Sequence, residues 1–297
     1  MHSARRLVFL VFLVTVLGCS GCRAQLTFNV LLRVLMIQTL TGQGTGFTVD
    51  VDGRQCLITA KHIVAGLKPE DTVQIWKYDK SHKPKWVSIK VKIFMCDDPI
   101  DIAVLIPPEQ LTVSFPLEPT REGMMYGQDA FFLGFPLGMY SDVKTSFELP
   151  YPLAFVKKGV ISAEQDEGNV RRIILDGFNI FGFSGSPVVF RNLNRGNEFG
   201  YNVLGVVSSF TSDDGPVLVP KEIRQQDVTR EDVARGRIRK KEGKVYRLEE
   251  TPNHETVILN TGIVTSFGIE HAVDLIRLHP LGPRTVDDFR PALAEVN

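Results

Sequence analysis

The feature that most constrains this chain is a succession of short apolar runs, each of strand length and closed by Gly, Pro, Asn or Asp. Between positions 123 and 209 they are Asp129-Ala-Phe-Phe-Leu-Gly134, Phe155-Val-Lys-Lys-Gly-Val-Ile-Ser162, Val170-Arg-Arg-Ile-Ile-Leu175, Pro187-Val-Val-Phe190 and Val203-Leu-Gly-Val-Val-Ser-Ser209. No long amphipathic helix interrupts them, and such a pattern predicts an all-β sandwich or barrel. The N-terminal half reads the same way. Leu26 to Thr39 is one apolar stretch, Gly46-Phe-Thr-Val-Asp-Val51 and Gln55-Cys-Leu-Ile-Thr-Ala60 flank an Asp52-Gly53 hairpin turn, and 86–94 alternates apolar with polar residues. Ile102-Ala-Val-Leu-Ile106 follows, Pro107-Pro108 closes this set, and 117–122 reads as a connector to the next. With 297 residues and 43% apolar composition the chain can bury a full core.

One turn in this series carries chemistry. Gly182-Phe-Ser-Gly-Ser-Pro187 sets Ser184 between two glycines, which let the backbone turn sharply and bring its amides close to a ligand. A serine so placed can attack a carbonyl while the N–H groups of Gly182 and Ser184 face the developing oxyanion. Serine is a weak nucleophile by itself, so the reading requires a base and a group to orient it. His62 ends the run Leu57-Ile-Thr-Ala-Lys-His62, and Asp101 opens 101–105. Asp101 is preferred over Asp98 as the orienting carboxylate, because Asp98 sits in the turn Asp97-Asp98-Pro99 whereas Asp101 leads into a strand.

In this order of His, Asp and Ser the chain resembles the trypsin-like (chymotrypsin-fold) serine peptidases, especially their bacterial branch. The matching stretches are Gly44-Thr-Gly-Phe47, Thr59-Ala-Lys-His62, Asp101-Ile-Ala-Val104, Gly134-Phe-Pro136, Lys158-Gly-Val-Ile-Ser162, the Ser184 turn and Gly205-Val-Val-Ser208. The resemblance implies two six-stranded antiparallel β-barrels, over 25–118 and 119–297, with the active site between them and a short C-terminal helix. It also implies that the backbone at Ser208 pairs with an extended substrate, and that Phe178 lies at the floor of the primary specificity pocket. No charge is evident there, which suggests an apolar or small side chain before the scissile bond. Zymogen-type relatives carry an aspartate at the position of Phe183, so no activation by a cut N-terminus is expected. The oxyanion loop would then be ordered by packing of Phe183 and Phe181 against apolar neighbours, or by substrate binding.

Lys plus Arg and Asp plus Glu are 34 each, and no basic stripe interleaved with aromatics suggests nucleic acid. The expected partner is a protein or peptide substrate, with no cofactor and no metal. Residues 211–255 hold ten acidic and ten basic residues. They read as a solvated, partly mobile insertion without strand periodicity, although Thr229-Arg-Glu-Asp232 resembles a capping box. Positions 269–278 have the spacing of an amphipathic helix, and some twenty residues follow. That is fewer than the peptide-binding module appended in high-temperature-requirement proteases.

Residues 1–24 read as an export signal, with Arg5-Arg6 ahead of an uncharged run from Leu7 to Leu17. Val16-Leu-Gly-Cys19 resembles a bacterial lipobox, which would make Cys19 a lipidated, membrane-tethered N-terminus in the cell envelope or periplasm. Cys22 is a second candidate, and cleavage after Ala24 is the plain alternative. Cys56 and Cys96 then remain for the folded part, as free thiols or as a disulfide. An esterase with the same triad, or a binding protein on a peptidase scaffold, are the competing readings.

Overall fold

The computed structural model describes residues 26–142, 149–194, 200–287 and 289. The 1–24 segment, with Cys19 and Cys22, lies outside the described residues. Six strands build the first barrel: β1 (Val34–Gln38), β2 (Gln43–Val51), β3 (Arg54–Thr59), β4 (Glu70–Tyr78), β5 (Pro84–Met95) and β6 (Ala103–Ile106). They close in the order β1-β2-β3-β6-β5-β4, each pairing antiparallel. The β2–β3 hairpin turns at Asp52 and Gly53, both at positive φ (50° and 71°), as the Asp-Gly signal predicts.

Two departures from the sequence reading occur here. The stretch 26–39 is not one strand, because Phe28–Leu31 forms a short helix, α1, before β1 begins. Between them Arg33 is fully buried, its guanidinium held by both carboxylate oxygens of Asp50 (2.6 and 2.9 Å) and by the Phe115 carbonyl (2.6 Å). Burying that charge requires these partners, and they fix where the chain enters the barrel. The second departure is β4, over residues to which the sequence reading assigned no strand: Val73 and Ile75 are buried there at alternate positions.

After the connector come β7 (Glu118–Pro119), β8 (Asp129–Gly134), β9 (Phe155–Glu167), β10 (Val170–Asp176), β11 (Pro187–Arg191) and β12 (Tyr201–Pro216). The charged segment follows as β13 (Leu218–Ile223), helix α2 (Arg230–Ala234), β14 (Ile238–Lys241) and β15 (Lys244–Glu250), then β16 (Thr256–Gly268). Strands β11-β8-β9-β10-β16-β12 form a second ring, closed by the β11–β12 pairing, with β7 added parallel to β12. Two antiparallel six-stranded barrels are therefore present.

The segment 211–255 differs from the expectation of an insertion without strands. β12 and β16 continue as a paired ribbon out to Pro216 and Thr256, and β13, β15 and β14 form a three-stranded sheet at its end. Its charges pair across strands and to α2: Lys221 with Glu249 (2.9 Å), Lys244 with Glu222 (2.8 Å) and Arg247 with Asp232 (3.1 Å). Like and opposite charges alternating on a ladder hide apolar periodicity without preventing a sheet. The capping box at Thr229 and Asp232 is present and starts α2.

Each barrel has its own interior. Leu35, Ile37, Leu57, Val73, Ile75, Val91 and Leu105 fill the first, and Phe132, Ile161, Ile173, Leu175, Val188, Phe190 and Leu204 the second. A third cluster joins them: Phe47 and Val49 meet Phe131, Leu133 and Val189, and helix α3 (Glu270–Leu278) adds Ala272, Val273 and Ile276. The helix lies where the 269–278 spacing predicts it. Beyond it the chain returns to the first barrel, where the Gln55 amide donates to the Pro283 carbonyl (3.0 Å).

Candidate active site

His62 lies on a single 3-10 turn, Lys61–Val64, directly after β3, and the buried Ile63 and Val64 fasten that turn to the first barrel. Asp101 lies off the strand itself, two residues before β6. Ile102, fully buried, anchors it, and the Cys96 amide donates to the Ile102 carbonyl (3.0 Å). The Asp101 carboxylate holds the histidine twice: Oδ2 lies 2.7 Å from Nδ1, and Oδ1 accepts the His62 backbone N–H at 2.9 Å. With Nδ1 turned to a carboxylate, Nε2 is the ring nitrogen left to act as a base. Asp98 is exposed and pairs instead with Lys61 (2.7 Å).

A third donor on Asp101 comes from the second barrel: the Ser208 hydroxyl, at 2.6 Å from Oδ2. Burial by itself would raise the Asp101 carboxyl. The hydrogen bonds from His62 and Ser208, and the imidazole's charge, outweigh it and hold the group below the usual carboxylate range. Sequence reasoning used only the backbone of Ser208, and so missed this contact.

The nucleophile turn is fixed peptide by peptide. Gly182 and Gly185 are at φ 101° and 82°, and a Cβ on either would run into backbone, of Phe135 and of Thr45 respectively. The Phe181 carbonyl accepts the Leu137 N–H at 2.9 Å. The C=O and N–H of a trans peptide point in opposite directions, so the Gly182 N–H faces away from Leu137. The Phe183 carbonyl likewise accepts the Ser186 N–H (2.9 Å), turning the Ser184 N–H outward. Phe183 and Gly185 spend their own amides on Ile180 and Val207, whereas those of Gly182 and Ser184 have no acceptor among the described residues. Two adjacent unpaired donors beside a serine hydroxyl are what a developing oxyanion needs. The Ser184 hydroxyl itself donates to the Ser208 carbonyl at 3.3 Å.

Thr45 ties this turn to the first barrel. Its backbone N–H donates to the Ser184 carbonyl (2.9 Å), and its buried hydroxyl donates to the Gly182 carbonyl (2.8 Å) while accepting the Phe135 N–H (3.3 Å). Neither Thr45 nor Leu137 was singled out from the sequence, although Gly44-Thr-Gly-Phe47 was among the matching stretches.

Phe183 is fully buried in the interior of the second barrel, edge-on to Phe132 with centroids 5.3 Å apart. Phe181 is 74% exposed, its ring edge-on to Phe210. Phe178 is exposed, its carbonyl accepting from Lys157 Nζ at 2.7 Å, and the adjacent Asn179 is buried. Ser186 is buried with its hydroxyl unpartnered. Cys56 and Cys96 are free, and burial pushes their thiols up to about 12 and about 11. Among the described residues no group of three or more His, Cys, Asp or Glu could hold a metal ion.

Two β-barrels meeting at a serine turn define a serine hydrolase of the chymotrypsin fold. The sequence pattern of the trypsin-like peptidase domain matches residues 44–197, and the chain belongs to that family. No curated protein matches. Among solved structures, the chain is similar to the active form of the Rv3671c protease from M. tuberculosis at 23% identity and TM-score 0.41, over 61% of this chain and 72% of that one. Deg5 is 22% identical at TM-score 0.42, over 61% of this chain and 81% of that one. The HtrA-type protease AlgW with a tripeptide is 15% identical at TM-score 0.48, over 84% of this chain, which spans 60% of that protein's length.

Proposed function

We propose that this protein is a serine endopeptidase in which Ser184, His62 and Asp101 act as nucleophile, base and orienter. Ser184 Oγ attacks the carbonyl carbon of a peptide bond, and its proton passes to His62 Nε2. For this the hydroxyl exchanges its bond to the Ser208 carbonyl for one to the imidazole. The Gly182 and Ser184 N–H groups receive the oxyanion, and Asp101 stabilises the imidazolium. Collapse expels the amine, which takes the proton from His62 and leaves an acyl-enzyme. Water, deprotonated by His62, then attacks the ester and releases the acid and the free serine. The observation that supports this reading best is the pair of unspent amides at Gly182 and Ser184, held outward by bonds to the carbonyls behind them. The backbone at Ser208 pairs with the substrate, and Phe178 favours an apolar or small side chain before the scissile bond.

Labelling with a fluorophosphonate separates a hydrolase from a binding protein on the same scaffold, and digestion of a peptide library separates a peptidase from an esterase. Wild type labels and cleaves peptides, whereas Ser184→Ala does neither; labelling that survives Ser184→Ala overturns the assignment. The export-signal pattern of residues 1–24 supports a location in the bacterial cell envelope, with a tether through a lipid on Cys19. Metabolic labelling with a fatty acid in the native host loses its signal on Cys19→Ser. Retention of signal by that variant moves the anchor to Cys22.

A further inference from the structure

Lys157 meets, with its ammonium, both ends of the turn that leads into Ser184. It sits on β9 next to Lys158, and successive residues of a strand face opposite ways. Lys158 points out and pairs with Asp129 (2.8 Å). Lys157 is half-buried, donates to the Phe178 carbonyl (2.7 Å), and lies 5.0 Å from the Phe178 ring centroid and 5.1 Å from that of Phe183. No carboxylate pairs with its ammonium among the described residues. Its charge is met only by a carbonyl and two aromatic faces, an arrangement that attracts a partly desolvated cation.

We infer that Lys157 is a positioning residue for the oxyanion loop: its ammonium pins the Phe178 backbone and the Phe183 ring together and so fixes the peptides on both sides of Phe183. The inference rests on the serine-hydrolase reading above. Phe183 stands between the two unspent amides, and its ring is held by the Phe132 edge and by the Lys157 cation. With the cation gone, the ring keeps only one of these contacts and the Phe178 carbonyl loses its donor. The Gly182 and Ser184 amides then sample orientations off the oxyanion. Ground-state binding is left largely intact, because neither amide is needed until charge develops. The surroundings give the effect a pH signature. Desolvation lowers the Lys157 pKa. β8 faces it with Phe132 and the turn with Phe178 and Phe183, and among the described residues no ion pair reaches the ammonium, so the alkaline loss is assigned to Lys157. Protonated lysine is the positioning form, and kcat falls as pH rises through its pKa.

The test compares wild type with Lys157→Met, which keeps the stem, and Lys157→Arg, which keeps the charge, on a chromogenic peptide across pH 7–11. Wild-type turnover, abolished by Ser184→Ala, establishes the hydrolase separately, so failure of that reading is seen in wild type alone. The expected result is a kcat for Lys157→Met lower by about tenfold or more, up to the ~10²–10³ cost of a lost oxyanion donor. KM changes by less than about threefold, the wild-type alkaline limb is absent, and Lys157→Arg recovers most of the rate. Three outcomes overturn the inference. One is an unchanged kcat in folded Lys157→Met. Another is a loss wholly in KM. The third, read on a peptide library, is a changed preference for the residue before the scissile bond in Lys157→Met, which would make Lys157 a reader of substrate.

Discussion

The bond that carries most between the barrels is the Thr45 hydroxyl, and Thr45→Val isolates it because the side chains are nearly isosteric. The hydroxyl is buried, donates to the Gly182 carbonyl at 2.8 Å and accepts the Phe135 N–H at 3.3 Å. Valine leaves both backbone groups unpaired inside the protein. Each such orphan costs about 1–3 kcal/mol, and the extra methyl returns at most about 0.8 kcal/mol. The net loss is then about 1–5 kcal/mol, at roughly 2–4 °C of Tm per kcal/mol for a domain of this size. The Gly182 carbonyl belongs to the peptide that follows an oxyanion amide, so kcat should fall about tenfold or more while KM moves less. Thr45→Ser keeps the hydroxyl and should restore kcat. Thermal unfolding together with steady-state kinetics on a peptide ester reads both effects. A Thr45→Val protein with Tm within about 1 °C and kcat within twofold of wild type would refute the staple, since this arithmetic has no route to so small a change.

Ser208→Ala removes one of the bonds that hold the Asp101 carboxyl low. A depressed carboxylate adds stability above its unfolded pKa of about 3.9 and loses it as pH falls through the lower folded value. The variant should therefore lose stability at higher pH than wild type in urea titrations across pH 2–6, and superimposable curves would contradict the assignment. Ser186→Ala deletes a buried hydroxyl without a partner, so stability should be unchanged or up to about 1 kcal/mol greater, with kcat within threefold; abolished fluorophosphonate labelling would make Ser186 the nucleophile. Pro216 and Thr256 are paired neighbours, so 217–255 can be replaced by Asn-Gly as a tight turn. Turnover of a small ester should survive that excision, and a protein that no longer folds would show that the three-stranded sheet supports the barrel.

What the sequence showed plainly was whatever is encoded locally. The Asp52-Gly53 hairpin, the strand from Val170 to Leu175 and the 269–278 helix each rest on residues within a few positions of one another. The Gly182 and Gly185 turn is local too, because positive φ is written in the residue type. His62 and Asp101 were found because each ends or precedes a strand, although Asp101 proved to sit in the loop just ahead of β6. The strands within 211–255 were missed for a physical reason. A sheet with both faces largely solvated has no apolar period to read, and its cross-strand ion pairs appear in the sequence only as mixed charge.

The contacts that complete the site are of another kind. Thr45 lies 137 residues from Gly182, and Ser208 lies 107 from Asp101, and no pattern along the chain joins them. In the proposed mechanism each barrel alone carries an inert half: His62 and Asp101 without a nucleophile, and Ser184 without a base. Ser208 binds the first barrel's carboxylate from the second barrel, and Thr45 binds the second barrel's nucleophile turn from the first. The barrels are thus cross-linked through the very groups that must be aligned to about a hydrogen-bond length. Any slippage between them would misplace the base and the oxyanion donors together, so the large apolar interface of Phe47, Phe131, Leu133 and Val189 acts on catalysis as well as on stability.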